Sequence, residues 1–154
     1  MAVEDGCRVT DVWGYRAWRG YVHAGLDLGG VTPGKSSPVY AMADGVVEFV
    51  GTNLIPTRNG THVGVRHADG SLEFHGHVRW VKVSKGQRVK RGHRLADTWR
   101  TGLSDTAGIH NHVEWWTDYR DHRTHTNPEP HMARHGWALV PDGDERRLYD
   151  LETL

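Results

Sequence analysis

From Pro38 onward the chain is divided into short apolar runs by glycine-bearing turn pairs, and none of these runs is long enough to carry a helical stripe. Val39 to Met42 and Val46 to Val50 flank Asp44-Gly45, and Thr61 to His67 and Ser71 to Val78 flank Asp69-Gly70. Asp-Gly pairs accept the positive φ of tight hairpin turns, and alternation of period two buries one face of a strand. Both segments therefore read as hairpins. Further short runs end at Lys85-Gly86, at Arg91-Gly92 and, after Leu95, Ala96 and Trp99, in a loop closing at Gly108. The pattern predicts an all-β, mainly antiparallel fold: a sandwich or partly closed barrel of short strands with little helix.

A length of 154 residues with 37% hydrophobic and 25% charged residues suits one folded unit with its own core. Lysine plus arginine equals aspartate plus glutamate at 19 each, so no overall field gathers nucleic acid or an anionic membrane. No nucleic-acid partner is expected. No apolar stretch is long enough to span a bilayer, which argues against membrane insertion. The single Cys7 makes no internal disulfide, and thiol chemistry is not expected at the centre of the function. The N-terminal MAVEDGCRVTDVWG lacks a basic segment followed by an apolar run, so the chain reads as one without its own export signal.

Twelve histidines invite a search for ordered spacings. His110-Asn111-His112 runs into Val113, Glu114, Trp115 and Trp116, a strand-like segment, and side chains at i and i+2 of a strand share a face. One of the two could bind a metal while the other handles protons; alone, the tripeptide fits two surface histidines equally well. In His23-Ala24-Gly25-Leu26-Asp27 an imidazole and a carboxylate flank a glycine that lets the backbone bend toward one ion. An ordinary His–Asp hydrogen bond is the plainer reading of that segment. Together the two segments supply three ligands and a spare histidine, the set that a catalytic zinc with an open position requires. Phe74-His75-Gly76-His77-Val78 ends a predicted strand, and either of its histidines could face the same point.

Taken in order, these motifs resemble the lysostaphin-like, or LytM-domain, zinc metallopeptidases, which cleave peptide bonds of peptidoglycan. The resemblance runs from about Val9 to Pro130 and implies that His23 and Asp27 bind Zn²⁺. It places His77 on the family's active-site histidine, because His77 stands nine positions before Gly86 of VKVSKGQRVKRG. It makes His112 the third ligand and His110 a catalytic histidine, preceded by Thr101-Gly102-Leu103-Ser104 in the manner of a T-G-x-S loop. His110 would take a proton from water and His77 stabilise the oxyanion or protonate the leaving amine, but the sequence does not fix which histidine does which, and neither role need be exclusive. There are two departures: His75 stands where relatives carry tyrosine, and Asn111 where they carry leucine. The second suggests a less buried face behind the histidines.

On this reading residues 1–135 form the catalytic domain, and 136–154 an extension docking on it or trailing from it. Asn127-Pro128-Glu129-Pro130 is expected to break structure, and Pro141 to Glu145 to turn. The resemblance implies a peptidoglycan partner outside the cytoplasmic membrane. A phage lysin passing a holin-type pore, a virion-associated hydrolase, or a processed secreted fragment would each suit such a chain. A non-catalytic wall-binding or regulatory module of the same fold is the alternative, and a structural zinc site would need a fourth ligand, for which His75 is nearest. His62, His67, His93, His122, His125, His131 and His135 read as surface or satisfied polar residues, and most tryptophans as core.

Overall fold

A computed structural model of the chain describes residues 6–152. Strands β1 (Cys7–Asp11), β2 (Gly14–Tyr15), β3 (Val22–His23), β4 (Leu26–Gly29) and β5 (Pro38–Tyr40) lead into β6 (Gly45–Thr52), β7 (Thr61–Arg66) and β8 (Leu72–Gly76). Then come β9 (Val78–Arg79), β10 (Arg88–Val89), β11 (Arg94–Thr98), β12 (Asn111–Trp116), β13 (His125–Thr126), helix α1 (Pro128–Arg134), β14 (Trp137–Asp142) and β15 (Glu145–Asp150). Among the described residues the main sheet runs β10-β6-β7-β8-β12-β4-β1-β15-β14, with β13 on β12; β5-β11-β9 form a second sheet and β2-β3 a ribbon. Every pairing is antiparallel.

The core lies between the main sheet and the smaller one. Val47, Val63, Val65, Leu26, Leu28 and Val113 from the first meet Val39, Val78, Leu95 and Ala96 from the second, all nearly inaccessible. At roughly 1.5–3 kcal/mol for each fully buried Val or Leu, this contact is the main stabilising layer. The other face of the central strands carries a second cluster, Leu72, Phe74 and Trp116. Strands β7 and β8 are therefore covered on both sides.

The β7–β8 hairpin forms around Asp69-Gly70 as the turn signal predicts, with Gly70 at φ +87°. The Asp44-Gly45 signal has a different outcome: β5 pairs with β11 and β6 with β7 and β10, so the two flanking runs belong to different sheets. Ala41, Met42 and Ala43 are buried where the chain crosses between layers, and the Glu73 carboxylate accepts from the Met42 and Ala43 N–H groups in place of a hairpin partner. Asn127 to Pro130 starts a helix instead of only interrupting structure. Asn127 caps it by accepting from Glu129 N at 3.2 Å, and Pro128 occupies the first turn, where no N–H is needed. Beyond α1, β14 and β15 form a hairpin whose β15 pairs with β1, burying Leu148 and leaving Leu151 half exposed.

Register positions the site. Asp27 pairs with His112, His112 with Gly76, and Gly76 with His62, so one row of side chains crosses β4, β12, β8 and β7. Period-two alternation then sends Leu26, Leu28, Val113, Glu73 and His75 to the opposite, core-facing side.

Candidate metal centre

His23, Asp27 and His112 each offer one donor atom, and these atoms lie within 4.8 Å of one another. His23 Nε2 is 3.4 Å and His112 Nδ1 2.9 Å from Asp27 Oδ1. His23 ends β3, and Gly25 carries the chain into β4, where Asp27 sits in register beside His112. Gly25 is needed for space. A Cβ there would stand 2.2 Å from the Val113 carbonyl oxygen and 2.9 Å from His112 Cε1. The glycine thus lets the His23–Asp27 segment lie directly against β12.

Each of these two imidazoles is oriented through its other nitrogen. His23 Nδ1 lies 2.9 Å from the Val12 carbonyl, which can only accept, so Nδ1 carries a proton and Nε2 is turned toward Asp27, donating to it when the ring is protonated and offering a lone pair when it is neutral. On His112, Nε2 donates to Glu114 Oε2 at 2.9 Å, leaving Nδ1 for the site. Glu114 is fully buried, gripped by Arg58 through Nε and by Nη2 at 2.9 Å, and it accepts from Trp116 Nε1 at 3.0 Å. The reading of the motifs missed Glu114 and Arg58. The signal for Glu114 lay in His112-Val113-Glu114, whose i, i+2 spacing on a strand puts the carboxylate on the ligand's own face.

Charge is concentrated here. Burial opposes ionisation of Asp27, but hydrogen bonds from His112 and His23 outweigh it and hold the carboxyl well below the usual range. Burial likewise opposes a charge on His112, and hydrogen bonds to Asp27 and Glu114 reverse that, raising the ring to about 9. Glu114 is held down to about 2, since the bonds to His112 and Arg58 exceed the cost of burial. A proton on His112 Nδ1 occupies the place a cation would take. Two nitrogens and a carboxylate oxygen, converging with their rings braced from behind, fit zinc in donor type, with one side left open.

That side faces a cleft of about 410 Å³ walled by Tyr21, Arg58 and Leu103, into which His77 and His110 also project. Their ring centroids are 5.2 Å apart, and His77 is 6.1 Å from His112. His110 Nε2 is 3.7 Å from Asp27 Oδ1, while Nδ1 donates to the Gly108 carbonyl at 2.9 Å. His77 Nδ1 donates to the Thr101 carbonyl at 2.7 Å. His77 has φ +59°, a left-handed conformation uncommon for a side-chain-bearing residue, and this turn at the end of β8 swings it into the cleft. Burial depresses its pKa to about 4 against the help of the Thr101 carbonyl. All five residues singled out in the sequence thus meet around one cleft.

His75 does not join them. It is fully buried on the core side, its Nε2 2.6 Å from Glu73 Oε2 and its Nδ1 accepting from Asn111 Nδ2 at 3.0 Å. The fourth-ligand role considered for it is excluded by strand parity. The expectation of a less buried face behind the histidines also fails, because Asn111 is fully inaccessible and finds its partner in His75. The two departures from the family pattern are neighbours that satisfy each other. Of the other histidines, His67 is buried between Ser71 and Glu73, and His62 accepts from Leu54 N at 3.3 Å. Tyr15 is exposed on the β2–β3 ribbon.

Three donor atoms that could hold a metal ion converge on the floor of a cleft with one side open. Over residues 21–128 the chain matches Peptidase family M23, and it belongs to that family. It is 34% identical over 82 residues to the peptidoglycan DD-endopeptidase ShyA of Vibrio cholerae, covering 51% of this chain and 17% of that protein. The catalytic domain of the prophage-encoded M23 protein EnpA from Enterococcus faecalis superposes with a TM-score of 0.64 at 28% identity, covering 79% of this chain and 88% of that one. Lysostaphin from Staphylococcus simulans shares the fold, with a TM-score of 0.70 at 21% identity over 87% of this chain and 58% of that one. The chain thus spans a small part of ShyA and most of the EnpA domain. The all-β reading of the sequence holds, as an open antiparallel sheet backed by a smaller one.

Proposed function

We propose that the protein is a zinc-dependent endopeptidase that hydrolyses the peptide part of bacterial peptidoglycan, with His23, Asp27 and His112 as metal ligands and His77 and His110 as catalytic residues. The observation that carries this reading is the convergence of three braced donor atoms on the side of the cleft where two further histidines face them. Held there, zinc would act as a Lewis acid toward a peptide carbonyl and lower the pKa of water from about 15.7 toward about 7.

The protein's own residues handle the protons. His110 and His77 both donate through Nδ1 to backbone carbonyls, so each neutral ring presents a lone pair at Nε2. Neither can donate from Nε2 until it has taken up a proton. His110, nearer the ligand set, takes the proton of the attacking water. His77, whose burial keeps it neutral at the outset and makes its protonated form strongly acidic, receives the proton that His110 has taken, the two ring centroids being 5.2 Å apart, and passes it to the leaving amine, so that both rings end neutral. A hydrogen bond from His77 to the oxyanion belongs to that same protonated form.

The ligand set and the likeness to ShyA and EnpA favour an enzyme over a wall-binding module of the same fold. The likeness to a prophage-encoded protein supports a phage setting, with action on the wall outside the cytoplasmic membrane after delivery by a virion or through a holin-type pore. The test is mass spectrometry of fragments released from several purified peptidoglycans, with and without a chelator. New amino termini that disappear on chelation and return with zinc are expected; intact wall under every condition would refute the reading.

A further inference from the structure

A second cleft, of about 460 Å³, opens on the far side of His110 and shares that residue with the catalytic cleft. Its walls hold two arginines, Arg8 and Arg100, between Thr10, Thr106 and Gly108. Elsewhere Arg19, Arg58, Arg91 and Arg146 sit on carboxylates. Arg8 and Arg100 do not. Arg8 Nε donates to the Gly30 carbonyl at 3.0 Å and Arg100 Nη1 to the Asp105 carbonyl, and no carboxylate among the described residues lies within ion-pair distance of either. Arg100 Nε is buried without a partner.

Both side chains are held in place. Arg8 lies across Gly29, its register partner, where a Cβ would stand 2.7 Å from Arg8 Nη2. Arg100 stacks on Trp99 at 4.7 Å, Trp99 is braced by Arg79 at 3.4 Å, and Arg79 by Trp80 at 3.8 Å. The Trp99 carbonyl also accepts from His110 N at 3.2 Å, so the ladder is fastened to the backbone of His110, the residue just before β12. Two positioned guanidinium groups without a counterion, in a chain of zero net charge, make a receptor for an anion.

We propose that this cleft is a subsite for a free carboxylate, terminal or side-chain, on the substrate peptide to one side of the scissile bond. The inference rests on the peptidase reading above. Because His110 lines both clefts, a peptide seated in the catalytic one passes beside the other, and the acidic groups of a peptide are carboxylates. Arg8 and Arg100 set which end of the wall peptide lies on that side.

The experiment uses pairs of synthetic wall peptides that differ only in a carboxylate or a carboxamide at one acidic position. Binding is measured by calorimetric titration of the zinc-loaded full chain in a His77→Ala background, which slows turnover, and cleavage is measured without that substitution. The carboxylate peptide is expected to bind and be cut with about 10- to 100-fold advantage, the scale of a charge-assisted hydrogen bond or two. Arg8→Gln and Arg100→Gln should each bring the carboxylate-to-carboxamide ratio of kcat/KM most of the way to one, through KM; Arg100→Lys, which keeps charge but loses the fork, should fall between. Equal handling of both peptides, or a preference that survives both substitutions, overturns the proposal. A carboxylate preference that depends on the arginines without cleavage of any peptide supports the subsite and refutes the peptidase reading.

Discussion

Strands β8 and β12 each carry one histidine paired with a glutamate two residues away, β8 on the core face of the sheet and β12 on the cleft face. On the core face His75 Nε2 meets Glu73 Oε2 at 2.6 Å, and on the cleft face His112 Nε2 meets Glu114 Oε2 at 2.9 Å. Both pairs use the same i, i+2 spacing and the same atoms. They differ at the other ring nitrogen. His75 Nδ1 receives an amide proton from Asn111, which closes its valence, whereas His112 Nδ1 faces the Asp27 carboxylate beside a second imidazole. An amide donor makes a finished structural joint. A carboxylate with a neighbouring imidazole instead puts on His112 Nδ1 a proton that a cation could displace, leaving the three donor atoms to converge on one point. The same His–Glu pairing at i, i+2 ends in a closed joint on one face and, on the other, in the donor cluster proposed as the metal site, according to a single partner across the sheet.

The largest effect expected from breaking this contrast is on the cleft face. His112→Ala removes a donor and empties the Glu114 bracket, so zinc should be lost on dialysis, read by metal analysis, and wall digestion should fall to background. If His112→Ala keeps stoichiometric zinc, the ligand assignment is wrong. On the core face, Glu73→Ala leaves the Met42 and Ala43 N–H groups and two imidazoles without their acceptor, and breaking a buried network of this kind costs about 3–5 kcal/mol. Burial opposes ionisation of Glu73, but hydrogen bonds to His67 and His75 outweigh it and hold the carboxyl at about 2 against an ordinary 4.5. A depressed carboxyl contributes fully above its unfolded pKa and loses its contribution as pH falls through the folded one. Thermal unfolding should therefore show the advantage of wild type over Glu73→Gln constant above pH 4.5 and shrinking from there toward pH 2. An advantage unchanged across that window would refute an ionised Glu73.

How much of this was legible in the sequence follows from the range of each signal. Hairpin turns such as Asp69-Gly70 and the His23/Asp27 and His110/His112 spacings are local, and their outcome is decided within a few residues by glycine-permitted turns and side-chain alternation. The Val39–Val50 segment misleads because its turn signal is local while the layer change is imposed by buried Ala41–Ala43 and a glutamate some 30 residues away. His77 enters the cleft through a left-handed backbone that no residue pattern announces. The pairing of His75 with Asn111 joins strands 36 residues apart, so each looked like an isolated oddity. The Arg58–Glu114 grip spans 56 residues and was invisible for the same reason.

That grip gives a smaller prediction on the cleft face. Glu114→Gln keeps the shape but loses the charge that orients His112, and loss of such a supporting partner typically weakens metal binding 10- to 100-fold. Competition with a chromophoric chelator should show a shift of about that size with the fold intact. Zinc affinity equal to wild type would mean that Asp27 and His23 alone orient the site.

The smallest effect concerns the joint on the core face. Asn111→Leu restores the residue usual in the family but strips His75 Nδ1 of its donor, a penalty of about 1–3 kcal/mol for an orphaned buried acceptor. Two gains offset part of it: Leu is apolar in an inaccessible place, and the Asn111 Oδ1 that is lost has no partner of its own. The net change should be near 1 kcal/mol. Adding His75→Tyr removes the orphan, so the two substitutions should be non-additive, with a coupling of about 0.5–3 kcal/mol in a double-mutant cycle of unfolding free energies. Strict additivity would mean that the hydrogen bond does not couple the two positions. The two departures from the family pattern would then be independent, and the contrast between the faces would rest on Glu73 alone.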